Sequence, residues 1–191
     1  KRLTDYTFSK HTYDESQATI YVLTSESEPR LYLKTRSDQT NRLNIEYQML
    51  KWSNQRVSTP EPVYYHKEAS TEYLLTTEIK GTPTYQVKPS EHKTAVRILA
   101  ETLRKIHSLD TRGCPVRHAI DNWVKTFQEK KIDVSPLGDW RPIENLCFTH
   151  GDYCLPNIIV ENGGLSGVID WDYAGLADPY VDLASCTWSL V

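Results

Sequence analysis

The stretch richest in groups that could do chemistry is His150-Gly151-Asp152-Tyr153-Cys154-Leu155-Pro156-Asn157, followed by Ile169-Asp170-Trp171. Asp152, Asn157 and Asp170 offer hard oxygen ligands and one carboxylate to spare as a base. Hard oxygens suit Mg²⁺ rather than Zn²⁺. Asn157 and Asp170 flank a hairpin with Gly163-Gly164 at its tip. With Gly163-Gly164 as a two-residue loop, Asn157 faces Asp170, with Cβ atoms about 5 Å apart and able to share one metal ion. With Asn162-Gly163 as the loop, the pair is staggered. A zinc set of Cys147, His150 and Cys154 competes, but its spacing fits no common zinc pattern and a fourth ligand is missing.

A second constellation lies nearer the N-terminus. Leu31-Tyr32-Leu33-Lys34 alternates, so Tyr32 and Lys34 share one strand face, about 7 Å apart. A flat ring and a cation at that spacing could hold a base and its phosphates. A strand lysine is ordinarily solvated. Glu46 argues otherwise here, because it falls between Leu43 and Leu50 on the apolar stripe of a predicted helix. A carboxylate there needs a partner, and Lys34 is the candidate; the alternative is a partly exposed Glu at the stripe's edge.

The elements that must position these groups fall into two parts. Ala18–Thr24, Arg30–Arg36, Pro62–Lys67 and Glu72–Glu78 read as strands, with Ser25-Glu26-Ser27-Glu28-Pro29 as a hairpin connection. Asn41–Asn54 reads as a helix with Leu43, Tyr47 and Leu50 on one stripe. Lys80-Gly81-Thr82-Pro83 reads as a linker. Beyond it, Ser90 can cap a long helix whose Val96, Leu99, Ala100, Leu103 and Ile106 form an apolar face. A further helix is expected after Pro115, near Ile120–Lys130, and short strands near Ile158–Val160 and Gly167–Trp171. The sum is a sheet-rich lobe, a linker and a helix-rich lobe.

Composition narrows the partners. The 191 residues are 39% hydrophobic and 25% charged, enough to bury a core. Mean hydropathy is −0.55, no apolar run reaches membrane-span length, and residues 1–10, with no apolar core region, are not expected to be a signal peptide. Four scattered cysteines read as free thiols of a cytoplasmic protein. A net charge of −3 argues against nucleic acid as a partner. Residues 1–132 carry +5 and residues 133–191 carry −8. Such a split can steer a cation toward one end and an anion toward the other.

Lys34, Glu46, His150-Gly151-Asp152, Asn157 and Asp170 resemble the protein-kinase set in its small-molecule form. The chain is most similar to the aminoglycoside phosphotransferase family, and within it to the 3′-phosphotransferases (kanamycin kinases). The resemblance runs from about Tyr13 to the C-terminus. It is carried by HGDYCLPN, by Ile169-Asp170 through Ala174-Gly175-Leu176-Ala177-Asp178 to Asp182-Leu183-Ala184, and by segments around Lys34, Leu75–Glu78 and Leu103–Ser108. It implies an α+β, two-lobed, protein-kinase-like fold. Residues 1–76 would form an antiparallel sheet with one helix, 77–83 a hinge, and 84–191 a helical lobe with a catalytic hairpin.

It further implies ATP, or GTP, in the cleft with Mg²⁺, and a polycationic aminoglycoside as acceptor. Asp152 would be the catalytic base, and Asn157 and Asp170 the metal ligands. Lys34 would hold the phosphates, oriented by Glu46. Tyr32 would stack on adenine, Ser16 would lie near the β-phosphate, and backbone groups of Glu78 and Ile79 would meet the base edge. His150 and Asp182 would brace the catalytic loop, and His107 would pack between elements.

Three departures stand out. Asp172-Tyr173 replaces the Gly-Arg common in 3′-phosphotransferases, which removes a cation near the transferred phosphate. The Cys114–Leu146 segment is short, and Val191 ends the chain before the helices that close the family's antibiotic pocket, so the chain reads as a truncated enzyme. Choline, homoserine, a sugar or another antibiotic is the alternative acceptor on the same fold, and a nucleotide-binding module without turnover is the non-enzymatic alternative.

Overall fold

A computed structural model describes residues 3–11, 18–37, 41–117, 131–133, 135 and 146–190. Ser16 and the helix expected near Ile120–Lys130 lie outside the described residues.

Five strands, β1 (Thr7–His11), β2 (Thr19–Thr24), β3 (Leu31–Arg36), β4 (Pro62–Glu68) and β5 (Thr71–Thr77), form one sheet in the order β1-β2-β3-β5-β4. Every neighbouring pair is antiparallel. Alternation divides β3 as the sequence requires. Leu31 and Leu33 join Tyr6, Leu23 and Leu75 in a small apolar cluster. Lys34 stands across from Leu74 and Tyr32 across from Thr76 on the other face.

Helix α1 (Arg42–Ser53) covers that second face and buries Leu43, Glu46, Met49, Leu50 and Ser53. Its start lacks a side-chain cap of its own. The buried carboxylate of Glu72 on β5 supplies one, accepting the Asn44 backbone N–H at 3.0 Å and the Tyr65 hydroxyl at 2.8 Å. The helix that carries Glu46 is thus fixed to the sheet that carries Lys34.

The chain leaves the sheet at Thr77 and joins the second lobe almost at once. Thr82–Pro83 forms a short strand, β6, paired with β8 (Ile158–Glu161), which pairs with β9 (Gly164–Val168). Gly81 makes this approach, with φ at +127° and a position where a Cβ would meet the Val160 carbonyl oxygen at 2.4 Å. The Thr84 hydroxyl then donates to the Leu155 carbonyl at 2.7 Å. The predicted linker is therefore partly a strand of the same sheet as the β8–β9 hairpin.

Helix α2 (His92–His107) buries Ala95, Ile98, Leu99, Thr102, Leu103 and Ile106. Leu99, Leu103 and Ile106 of the predicted face are buried, whereas Val96 and Ala100 are exposed and Ala95, Ile98 and Thr102 complete the buried stripe at helical spacing. Ser90 makes no cap; it lies in a single 3-10 turn, Pro89–Glu91, and the helix begins after it. The second lobe is completed by β7 (Cys147–Thr149) paired with β10 (Gly175–Ala177), and by α3 (Tyr180–Ser189). One apolar cluster joins Leu43, Met49, Leu50 and Leu74 to Leu99, Leu103, Ile106, Phe148, Ile158, Val168 and Trp171. The two lobes share this core behind the cleft. No helix among the described residues is long and apolar enough to cross a membrane.

Candidate active site

Lys34 is the centre of the first cluster. Its Nζ donates to Glu46 Oε1 at 2.8 Å, to Glu46 Oε2 at 3.0 Å and to Asp170 Oδ1 at 2.7 Å. Burial alone would discharge this ammonium, but the Asp170 and Glu46 carboxylates override it and hold the lysine charged, above its usual range. Reciprocally, Lys34 holds the Asp170 carboxyl below the usual carboxylate range. Burial pushes the Glu46 carboxyl up, against the pull of Lys34. The partner that the apolar stripe demanded for Glu46 is Lys34, with only 3% of the Glu46 side chain exposed.

The hairpin resolves the register that the sequence left open. Asn162-Gly163 is the loop, because Glu161 pairs with Gly164 and Val160 with Leu165. A bulge then shifts the pairing by one, so that Ile159 faces Gly167 and Ile158 faces Val168. The Ile169 N–H donates to the Asn157 carbonyl at 3.0 Å, and Asp170 follows one residue later. Asn157 and Asp170 are therefore staggered. The second strand ends at Val168 rather than at Trp171. Asp170 adopts the left-handed conformation at φ 67°, which turns the chain out of the strand. That turn, not strand alternation, delivers its carboxylate to Lys34.

Asp152 is oriented from within its own loop. The Asn157 side-chain amide donates to Asp152 Oδ2 at 3.1 Å and to the Asp152 carbonyl at 3.0 Å. The Asp152 N–H donates to His150 Nδ1 at 3.3 Å, which leaves the ring proton on Nε2, where it is donated to the Ile169 carbonyl at 2.9 Å. His150 is fully buried and ties the loop of residues 150–157 to the chain leading into Asp170. Asp182 on α3 accepts the His150 N–H at 2.9 Å and the Gly151 N–H at 2.7 Å. His107 Nε2 lies 2.9 Å from the same Asp182 carboxylate. The bracing expected of His150 and Asp182 is present, and His107 is a third member of it. Tyr153 anchors the loop from below, its hydroxyl donating to the Leu99 carbonyl at 2.9 Å.

Along the cleft, the Glu78 N–H donates to the Arg30 carbonyl at 3.4 Å, and its carboxylate takes the Arg30 guanidinium at 2.8 Å. The Ile79 side chain faces Gly167, where an added Cβ would stand 3.0 Å from it. Tyr32 lies on the same face as Lys34. Sequence reasoning missed Glu72, Arg36 and Arg42. Arg36 Nη1 lies 3.8 Å from Asp172 Oδ2, and the Arg42 guanidinium lies over the Tyr173 ring. Burial, together with the Asp170 and Glu46 charges, pushes the Asp172 carboxyl up to about 7. The one signal for Arg42 was a cation at a helix start with no acid beside it. Among the described residues no cluster of three His, Cys, Asp or Glu side chains could hold a metal, so the soft-ligand set finds no support.

A cation held by two carboxylates across the cleft, beside an oriented aspartate and an asparagine, can align phosphates against a nucleophile. Comparison with known proteins agrees with this chemistry. The profile of the phosphotransferase enzyme family matches residues 7–132 and 137–191. An aminoglycoside 3′-phosphotransferase of Niallia circulans is 30% identical over 78% of this chain and 64% of its own length. One of Enterococcus faecalis is 28% identical over 100% of this chain and 82% of its own length. In fold, an aminoglycoside phosphotransferase from Streptomyces rimosus matches with a TM-score of 0.80 at 23% identity, covering 98% of this chain and 78% of its own. The chain thus spans less than two thirds of the first of these relatives, yet carries the lysine–glutamate pair, the His150–Asn157 loop and the hairpin carboxylate together: it belongs to the phosphotransferase enzyme family.

Proposed function

We propose that this chain transfers the γ-phosphoryl group of ATP to a hydroxyl of an aminoglycoside, an activity that confers resistance to such antibiotics. The observation that carries the reading is the Lys34 ammonium, held at 2.8 Å by Glu46 and 2.7 Å by Asp170. It brings the cation of one lobe to the carboxylate of the other. Relatives named aminoglycoside 3′-phosphotransferase from several bacteria, and one named streptomycin 3″-kinase, support the acceptor class. Structural neighbours described as complexes with ADP and streptomycin, or with AMP-PNP and hygromycin B, support the nucleotide.

In this reading Lys34 holds the α- and β-phosphates, with Glu46 fixing its position. Tyr32 packs on the base, and the Glu78 carbonyl and Ile79 backbone meet the base edge. Asp152 orients the acceptor hydroxyl and takes its proton; the amide of Asn157 fixes which carboxylate oxygen is left for that task. Asn157 Oδ1 and Asp170 are the hard oxygens suited to Mg²⁺, which when bound neutralises charge on the phosphates. The acidic balance of residues 133–191 favours a polycationic acceptor on the side of the catalytic loop.

The test is an ADP-release assay with Mg-ATP on kanamycin, streptomycin, choline and homoserine. Turnover of an aminoglycoside, with binding that weakens steeply as NaCl rises, is expected, because surface charges are screened over about 8 Å at physiological ionic strength. Turnover of choline or homoserine without any aminoglycoside turnover would replace the acceptor.

A further inference from the structure

Arg42 opens α1, and its position is locally unfavourable. A cation there faces the positive end of the helix dipole, no acidic residue stands in the first turn, and Asn41 supplies no side-chain cap. A residue kept against local preference is held by tertiary contacts. The Arg42 guanidinium lies 4.0 Å from the centroid of the Tyr173 ring, and its Nη1 donates to the Asp172 carbonyl at 3.3 Å. Position 173 carries a ring where the resemblance implies an arginine, and the cation that meets this segment arrives from another element.

Tyr173 also touches the catalytic loop. Gly151 has φ +85°, and a Cβ there would fall 2.2 Å from the Tyr173 carbonyl oxygen. Gly151 immediately precedes Asp152. On the other side, Arg42 and Glu46 lie one turn apart on the same face of α1. Glu46 holds Lys34, and Lys34 in turn holds Asp170 at the start of the segment that carries Tyr173. Two side chains of α1 thus hold the 170–174 segment, Arg42 directly at Asp172 and Tyr173 and Glu46 through Lys34 at Asp170, while the far side of the segment packs on the loop bearing Asp152.

We propose that Arg42 is a positioning residue. By stacking on Tyr173 it latches α1 to the segment after Asp170, so that the phosphate lysine, the hairpin carboxylate and the catalytic loop are set as one unit. This rests on the phosphotransferase reading above. Arg36, paired with Asp172, supports the same segment from β3.

The first test needs no ligand. In Arg42→Ala, amide hydrogen exchange should quicken about 3- to 10-fold at residues 150–153 and 170–174, the scale a cation–π contact supplies. Tyr173→Ala should do the same, Tyr173→Phe should keep the protection, and Arg42→Ala/Tyr173→Ala should be no worse than the worse single variant. Unchanged exchange at 150–153 in Arg42→Ala, or equal losses in the Phe and Ala variants, overturns the latch. The second test reads turnover: kcat should fall about 3- to 10-fold in Arg42→Ala and in Tyr173→Ala with the acceptor KM unchanged, while Tyr173→Phe should keep it. A change confined to KM overturns the positioning role. If the unsubstituted protein turns over no aminoglycoside, the functional reading fails, and the exchange experiment alone still decides the latch.

Discussion

Asp182 lies 31 residues beyond Gly151, yet its carboxylate accepts the Gly151 backbone N–H at 2.7 Å. The same side chain accepts the His150 N–H and meets His107, so a fully buried carboxylate on α3 holds the turn that aims Asp152. Asp182→Ala leaves two buried N–H groups without an acceptor, at about 1–3 kcal/mol for each. The melting temperature should fall by about 5 °C or more, since one kcal/mol corresponds to about 2–4 °C at this size. A melting curve superimposable on that of the unsubstituted protein would remove Asp182 from this role.

Asp152→Asn tests the base. The asparagine keeps the shape that Asn157 grips but loses the proton acceptor. Transfer should fall by about 10²–10⁴ while Mg-ATP affinity stays within a few-fold. Steady-state kinetics beside calorimetric titration of Mg-ATP separates the two, and near-normal turnover would exclude Asp152 as base.

Lys34→Ala and Glu46→Ala probe one unit. Lys34→Ala should raise KM for ATP and lower kcat, with Glu46→Ala acting in the same direction and more weakly. Because each is the other's partner at 2.8 Å, the double variant should lose less than the two singles together. Lys34→Ala should also be less stable, because it leaves Glu46 buried without its cation, a loss of about 3–5 kcal/mol for a broken buried pair. Additive kinetic losses would show that the pair does not act together.

Gly81→Ala tests the β6–β8 approach. The added methyl meets the Val160 carbonyl and demands a backbone conformation that non-glycine residues rarely adopt. Unfolding by urea should shift to lower concentration, with a loss of about 1–3 kcal/mol. An unchanged midpoint would mean that the β6–β8 contact yields without cost.

Cys154 gives a pH signature. Burial, with the Asp152 charge nearby, pushes its thiol up to about 12 from an ordinary 9.0. At pH 8 iodoacetamide should label it far more slowly than an unhindered thiol. Between about pH 9 and 12 the unfolded chain has released this proton and the folded chain has not. The unfolded state then binds fewer protons, so stability falls as pH rises through that window. Cys154→Ala should flatten the fall, as read from melting curves at pH 8 and 10.

Several features were legible in the sequence because they rest on local chemistry. The alternation in Leu31–Lys34 put a ring and a cation on one strand face. The charge in the apolar stripe of Asn41–Asn54 demanded a partner, and only a few cations were in reach. The loop HGDYCLPN announced its own residues, since Asn157 contacts Asp152 across five positions. Both lobes, and the strands and helices nearest the site, follow from hydrophobic period and turn residues.

Other features waited for the tertiary structure, because they depend on residues distant in sequence. On α2 the centre of the apolar face, Leu99, Leu103 and Ile106, follows from periodicity, but its edge does not: the core takes Ala95, Ile98 and Thr102 and leaves Val96 and Ala100 exposed. The hairpin register depended on a bulge between Ile159 and Val160 that no residue type signals. The left-handed turn at Asp170 aims its carboxylate at Lys34 across 136 residues. Glu72 capping α1, Asp182 holding His150 and Gly151, and Arg42 on Tyr173 all join elements that the sequence keeps far apart. Which groups are available for phosphoryl transfer, and on which elements they ride, follows from side-chain type and local period. Which carboxylate meets which cation is set by tertiary packing, because buried charges are paired by elements that the whole chain brings together.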